Sequence, residues 1–419
     1  MQRFEYLIRL IIKQKRMKSK ILLLIIFIGC LPLAGHSQKL TAEQFFAKQK
    51  VIFKEMNYDL AYKAKDYTKL AKIYSTIIGI YNNQVVEQEK PKLKGLMAGN
   101  IYYNAACWYS ILKKEKQAIL CFRKSMELGY KGAEHAKIDT DLNNIRRYKE
   151  YKQIIEEMEQ HSYLSVLRKS NGYLTENKEI PLFHYSTPND TNLVKVRRYF
   201  NLDSIAGSGD EISKIKNLMY WVHNTVRHDG SSYNPKIKNA IAFAQICKKE
   251  GRGINCRMMA IMLNECYMAM GWRSRYVTCM PEDSTDNDCH VINAVFCNTL
   301  NKWIWMDPTF AAYVSDEKGN LLGLSEVRDR LIKGLPLVLN DDANWNHKQK
   351  ETKEMYLDSY MAKNLYQLEC PVEFRFGEES EGGKWSKYII LVPHGFNTYR
   401  ARQVSCITED ETQFWKNPY

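Results

Sequence analysis

Cysteine, histidine and aspartate are the residue types of a nucleophile, its base and the group that orients the base. Three positions offer them in that chain order: Cys256, His290 and Asp307. Cys256 lies in GINCRMM, residues 253–259. From there Met259, Met262, Leu263, Cys266 and Met270 recur at helical spacing, and Gly271 supplies the stop expected just past a helix end. The spacing predicts a helix over 256–270 with Cys256 at its first turn. Unpaired backbone N–H groups and the positive end of the dipole favour a thiolate there, and the same N–H groups form half of an oxyanion hole. Gly251 and Gly253 fit a tight approach to that tip. The methionines share one helix face and read as core.

Downstream, CHVINAVFCNTLNKWIWMDPTF reads as two strands around a turn at NTLN. His290 shares a face with Ile292, Ala294 and Phe296, and Asp307 shares one with Trp305 and Trp303. In an antiparallel hairpin a turn at 298–301 sets Asp307 opposite Ile292, one diagonal step from His290. A tighter turn over Cys297–Leu300 pairs the two directly. Either register brings their β-carbons within about 5–8 Å, and Pro308 ends the strand. Singly, each residue has a bland reading as a buried thiol, a structural histidine or a turn former. Their order and local context, a cysteine on a helix start and a histidine and aspartate on one hairpin, favour the chemical reading.

These segments resemble the transglutaminase-like superfamily, which is related to papain-like cysteine proteases. The resemblance rests on Asn255-Cys256-Arg257, Gly271 with Arg275, His290, and Trp303 through Asp307-Pro308-Thr309, and covers about residues 200–312. It implies an α+β core in which the cysteine helix packs on an antiparallel sheet. It also implies Cys256 as nucleophile, His290 as general base and then acid, and Asp307 as orienter. No metal or cofactor is needed for this chemistry. The second oxyanion donor is open, and Gln245, eleven residues upstream of Cys256, is the candidate. The reaction is attack on an amide carbonyl to form a thioester. Resolution by water gives a cysteine protease or amidase, the favoured reading, and resolution by an amine gives a protein cross-linker. A non-catalytic scaffold that binds through the helices is a third reading, against which the intact triad argues.

The elements that must position these residues occupy the rest of the chain. Basic residues precede ILLLIIFIG, Ile21–Gly29, which reads as a secretory signal peptide over 1–37, with Met17 as an alternative start. The apolar run is shorter than the roughly 20 residues that span a bilayer. Cleavage after Ser37 and lipidation at Cys30 are the two processing routes, and either exports the chain to the periplasm, the envelope or beyond. Seven basic residues against one acidic in the first twenty lower the net charge from +14 to +8 once removed. The remaining basic residues are dispersed, so nucleic acid is excluded as a partner. Residues 38–165 read as helical, and Tyr102, Ala105, Ala106, Tyr109, Ala118 and Phe122 resemble a tetratricopeptide repeat. The unit reads as a support, with a peptide partner as the functional alternative. The core spans 180–315, and 316–419 reads as an extension packed on it, with helices around Ser325–Lys333 and Lys353–Tyr366 and a strand at KYIILV, without chemistry of its own.

Other features carry weaker expectations. Trp221 reads as core, and His223 and His228 read as surface or structural histidines, with lining of a site as the alternative for His228-Asp229-Gly230 near a loop. PEDSTDND, 281–288, reads as a solvated acidic turn, with attraction of a cationic peptide as the alternative. No Cys-x-x-Cys occurs, which argues against a zinc ribbon or thioredoxin-like pair. Cys279 and Cys289 flank that acidic loop and are a candidate disulfide in an oxidising compartment.

Overall fold

The computed structural model describes residues 39–95, 97–284, 286, 288–380, 387–399 and 404–419. The signal peptide, Cys30 and the Ser37 cleavage point lie outside these residues. Among them no helix is long and apolar enough to cross a membrane. The chain divides into two compact units, the first ending at Ser162 and the second running Tyr163–Tyr419.

The first unit is helical. Its centre is α1 (Ala98–Ile111), which passes through Leu112–Lys114 into α2 (Glu115–Glu127). Ala105, Ala106 and Ala118 are fully buried, as small residues are where two helices approach closely. Tyr130 stands where a repeat motif would close with proline, and its ring stacks on Tyr103 at 4.2 Å. A Cβ on Gly99 would lie 2.8 Å from the Tyr130 backbone nitrogen, so glycine permits that closure.

The second unit is α+β. The helices before its sheet include α3 (Glu211–Thr225), α4 (Ala240–Glu250) and α5 (Cys256–Ala269). Asn255 caps α5, its side chain accepting from the Met258 N–H at 3.1 Å. Every α5 residue except Arg257 is buried. The helix is therefore buried all round, its polar Asn264 and Glu265 included, and not on its methionine face alone, because helices cover one side of it and the sheet the other.

The sheet strands are β1 (Ser274–Met280), β2 (His290–Cys297) and β3 (Lys302–Met306). After a small hairpin of β4 (Asn344–Trp345) and β5 (Gln349–Lys350) come β6 (Gln367–Pro371), β7 (Tyr388–Leu391) and β8 (Val404–Thr408). The six-stranded order is β8-β7-β6-β1-β2-β3, antiparallel except for β7 with β8. Residues after 315 thus supply three of its six strands. That segment is half of the sheet and not merely a layer packed on a finished core.

Across β2 and β3, Asn293 faces Met306 and Cys297 faces Lys302. The turn is therefore 298–301 and position 307 falls opposite 292, the diagonal register of the two predicted. Across β1 and β2, Cys279 faces His290. Cys289 precedes His290 by one position, so strand alternation sends it to the opposite face of the sheet. There it packs with Met280, Ile390 and Val392, whereas Cys279 joins the main core. None of the ten described cysteines forms a disulfide, and that geometry sets Cys279 and Cys289 on opposite faces of the sheet.

Candidate active site

Cys256 opens α5 and is 8% exposed. The turn that delivers it depends on Gly253. A Cβ there would stand 2.4 Å from the Arg227 carbonyl oxygen, because segments 227–229 and 253–254 are bound backbone to backbone. Gly251 ends α4 in the left-handed region, φ +62°.

His290 is completely buried at the start of β2. Its Nε2 lies 2.7 Å from Asp307 Oδ2. A carboxylate accepts, so Nε2 donates and the lone pair of the neutral ring sits on Nδ1. Among the described residues no other group hydrogen-bonds Nδ1, and the Cys256 thiol is the side chain that acts on the ring there. Burial disfavours charge on His290. The charge of Asp307 and its hydrogen bond outweigh that, with Cys256 adding to them, and push the imidazole up to about 10. The ring therefore holds a proton more tightly than a free imidazole does. Phe310 and Tyr360 flank it with ring centroids at 5.4 and 5.3 Å, closing the imidazole to water.

Asp307 is also fully buried and engages three donors. Besides His290, Oδ2 accepts from the Tyr356 hydroxyl at 2.6 Å, and Oδ1 accepts from the Thr309 N–H at 2.8 Å. Trp305 Nε1 donates in turn to the Tyr356 hydroxyl at 3.2 Å. Tyr356 and Tyr360 come from one π-helix, Glu354–Met361, a geometry that recurs at functional sites. The sequence reading gave this segment no chemistry. Tyr356 was missed because a buried tyrosine has no motif, and only the partner it meets reveals its role. Tyr356→Phe is expected to cost about 1.5–3 kcal/mol, the worth of a hydrogen bond to a charged group. A lower urea midpoint at unchanged slope would register it, with a smaller loss of turnover than removal of the carboxylate causes.

The remaining motif residues are structural. Arg257 binds Glu379 at 2.7 and 2.9 Å and Thr278 Oγ1 at 2.8 Å. Arg275, 2% exposed, is sandwiched by Phe183 and Trp303 at 3.8 and 4.2 Å and bound by the Tyr185 hydroxyl. Gln245 lies on the exposed face of α4, where its amide meets the Tyr199 hydroxyl at 3.5 Å. It has no contact with Cys256, His290 or Asp307, so its candidacy as an oxyanion donor fails. The upstream spacing mistook the solvent face of α4 for its inner one.

The acidic turn also differs from its expected form. Asp286 and Asp288 point inward onto the buried Lys363 ammonium at 2.8 and 2.9 Å. This ion cluster anchors the loop that leads into His290. His223 and His228 are both buried and not surface residues. His223 braces the Pro308 carbonyl at 3.1 Å, next to Asp307.

Residues 199–308 match the model of the transglutaminase-like superfamily, which spans the helices before Cys256 and the triad hairpin but not the helical first unit. Among solved structures, the crystal structure of "a Putative Cysteine Protease" from Cytophaga hutchinsonii is similar, at 18% identity and a TM-score of 0.23. The match covers 35% of this chain and 46% of that one, so this chain spans about half of its length. No curated protein matches.

Proposed function

From a core that matches the transglutaminase-like superfamily over residues 199–308, we propose that the protein is an exported cysteine peptidase or amidase. Cys256 attacks a peptide carbonyl and forms a C–S bond, and the carbonyl π pair moves to oxygen. His290 takes the thiol proton on Nδ1 and returns it to the departing amine. Asp307 holds the ring with its donor nitrogen turned inward. Water then resolves the thioester, activated by the same imidazole.

The observation that carries this reading is the buried His290, whose Nε2 is fixed by Asp307 and whose remaining nitrogen is left for Cys256. A scaffold protein would have no use for a fully buried imidazole and carboxylate, each removed from water at a cost of several kcal/mol. Export rests on the apolar run Ile21–Gly29 and its basic flank, and it places the substrate, a peptide or protein, in the cell envelope or outside. Lipid attachment at Cys30 and a peptide partner on the helical unit belong to the same proposal.

Iodoacetamide labelling across pH tests the nucleophile. A signal near neutral pH that disappears in Cys256→Ala and persists in Cys266→Ala is expected. Equal, slow labelling of both thiols would refute the enzyme. Incubation with a mixed peptide library and a labelled primary amine separates the two acyl acceptors. New peptide termini are expected, and amine incorporation without them would replace hydrolysis by cross-linking.

A further inference from the structure

Cleavage through a thioester needs a second donor for the oxygen that becomes negative, and Gln245 does not provide it. Beside the nucleophile, segments 227–229 and 253–254 run together. Ile254 N–H donates to the Arg227 carbonyl at 3.0 Å and Asp229 N–H donates to the Ile254 carbonyl at 2.7 Å. His228 sits in the middle of that contact, paired with the residue two before Cys256. It is 1% exposed.

The tautomer of His228 follows from its partner. Trp345 Nε1 lies 3.0 Å from His228 Nδ1. An indole nitrogen can only donate, so Nδ1 must accept and the ring proton must reside on Nε2. We propose that His228 is that second oxyanion donor, its Nε2–H serving the acyl oxygen at Cys256. Trp345 is then the positioning residue that keeps the ring in its donating form. The inference rests on the acyl chemistry proposed above.

Three features support it. Protonating Nδ1 would break the Trp345 bond. Burial first, and the charge of the neighbouring His290 second, hold His228 down to about 3, so the ring stays a neutral donor while His290 carries the proton. Two histidines near one another are thereby driven to opposite charge states, as acid–base roles require. Finally, the β4–β5 hairpin grips His228 from both sides. Asn346 Oδ1 accepts from the His228 N–H at 2.7 Å and Asn346 Nδ2 donates to the His228 carbonyl at 3.0 Å. Asn346 and His347, at φ +53° and +54°, are the central residues of the tight turn that joins β4 to β5, so the grip is built on a regular hairpin. His223, five residues earlier, has no such lock and instead meets two acceptors, the Pro308 carbonyl and Asn344 Oδ1.

Two reagents separate this role from simple support of Cys256. With p-nitrophenyl acetate the sulfur attacks a carbonyl, an oxyanion forms and p-nitrophenolate leaves. With iodoacetamide the sulfur displaces iodide from a saturated carbon, and no oxyanion forms. In the full-length chain, His228→Phe is expected to slow acetylation of Cys256 by about 10²–10³-fold while alkylation stays within about threefold. His228→Gln, whose amide can still donate, should recover part of the loss. Trp345→Phe, which keeps the ring and removes the N–H, should slow acetylation and leave alkylation alone. It remains informative if His228→Phe does not fold. Equal falls in both reactions, or acetylation at the wild-type rate in His228→Phe, would overturn the assignment. A wild-type chain whose Cys256 is not selectively alkylated would instead remove the cysteine enzyme on which it rests.

Discussion

His290→Ala is expected to lower turnover of a peptide substrate by about 10⁵–10⁶-fold, the scale on which loss of the histidine disables an acyl-transfer triad. At 1.36 kcal/mol per decade this is roughly 7–8 kcal/mol of transition-state stabilisation. The effect is large because, in the mechanism proposed above, one ring performs every proton transfer. Its Nδ1 would take the proton of Cys256, and the same atom would return it to the amine. Among the described residues no second base stands ready to replace it. His228 is the neighbouring imidazole, but Trp345 occupies its Nδ1 and leaves a donor, not an acceptor, at Nε2. The substitution also strands the Asp307 carboxylate in a fully buried position, so part of any loss can be unfolding. His290→Gln, which can still donate toward Asp307, separates the two. It should restore folding, measured by circular dichroism, without restoring turnover. Wild-type activity in folded His290→Ala would exclude the proposed base.

The site was legible in the sequence where its chemistry lies in short, regular elements. The period of Met259, Met262, Leu263 and Cys266 located the helix, and the helix located Cys256 at its electropositive end. The length of the NTLN turn narrowed the hairpin to two registers. Both brought His290 and Asp307 together, because a shift of two in the pairing moves partners only one diagonal step. The α+β class came from the family resemblance that these segments carry.

What the sequence left hidden depends on partners far along the chain. Tyr356 lies 49 positions from Asp307 and Trp345 lies 117 from His228, and neither aromatic differs in type or spacing from an ordinary core residue. Lys363 reads as a surface lysine until Asp286 and Asp288 fold onto it. Of the half of the sheet supplied after residue 315, KYIILV reads as a strand and is β7. β6 was hidden because it is buried on both faces and so lacks the alternation that marks a half-exposed strand. The Cys279–Cys289 pairing failed on a rule the sequence does contain. Adjacent positions on a strand face opposite ways, and Cys289 is adjacent to a histidine that must face the site.

Asp307→Asn is expected to lower turnover by about 10⁴-fold, and the three hydrogen bonds of the carboxylate explain why a near-isosteric change is so damaging. An amide has one oxygen and one NH2. If the oxygen keeps the Thr309 N–H, the NH2 faces His290 Nε2 and the Tyr356 hydroxyl. His290 Nε2 must then accept, the ring proton moves to Nδ1, and the nitrogen facing Cys256 can no longer take its proton. If the amide turns over, its NH2 meets the Thr309 N–H instead, and donor opposes donor. The pH dependence of stability gives a second, independent reading. In the wild type the folded His290 is raised from 6.5 to about 10. Its contribution to stability is therefore complete below pH 6.5 and is lost as pH rises through about 10. In Asp307→Asn the burial that opposes charge is no longer outweighed, so the folded imidazole drops and that alkaline loss should vanish. Urea midpoints measured at the two ends of the window should converge for the variant and separate for the wild type. Parallel behaviour of the two proteins would mean that the carboxylate is not what holds the proton on His290.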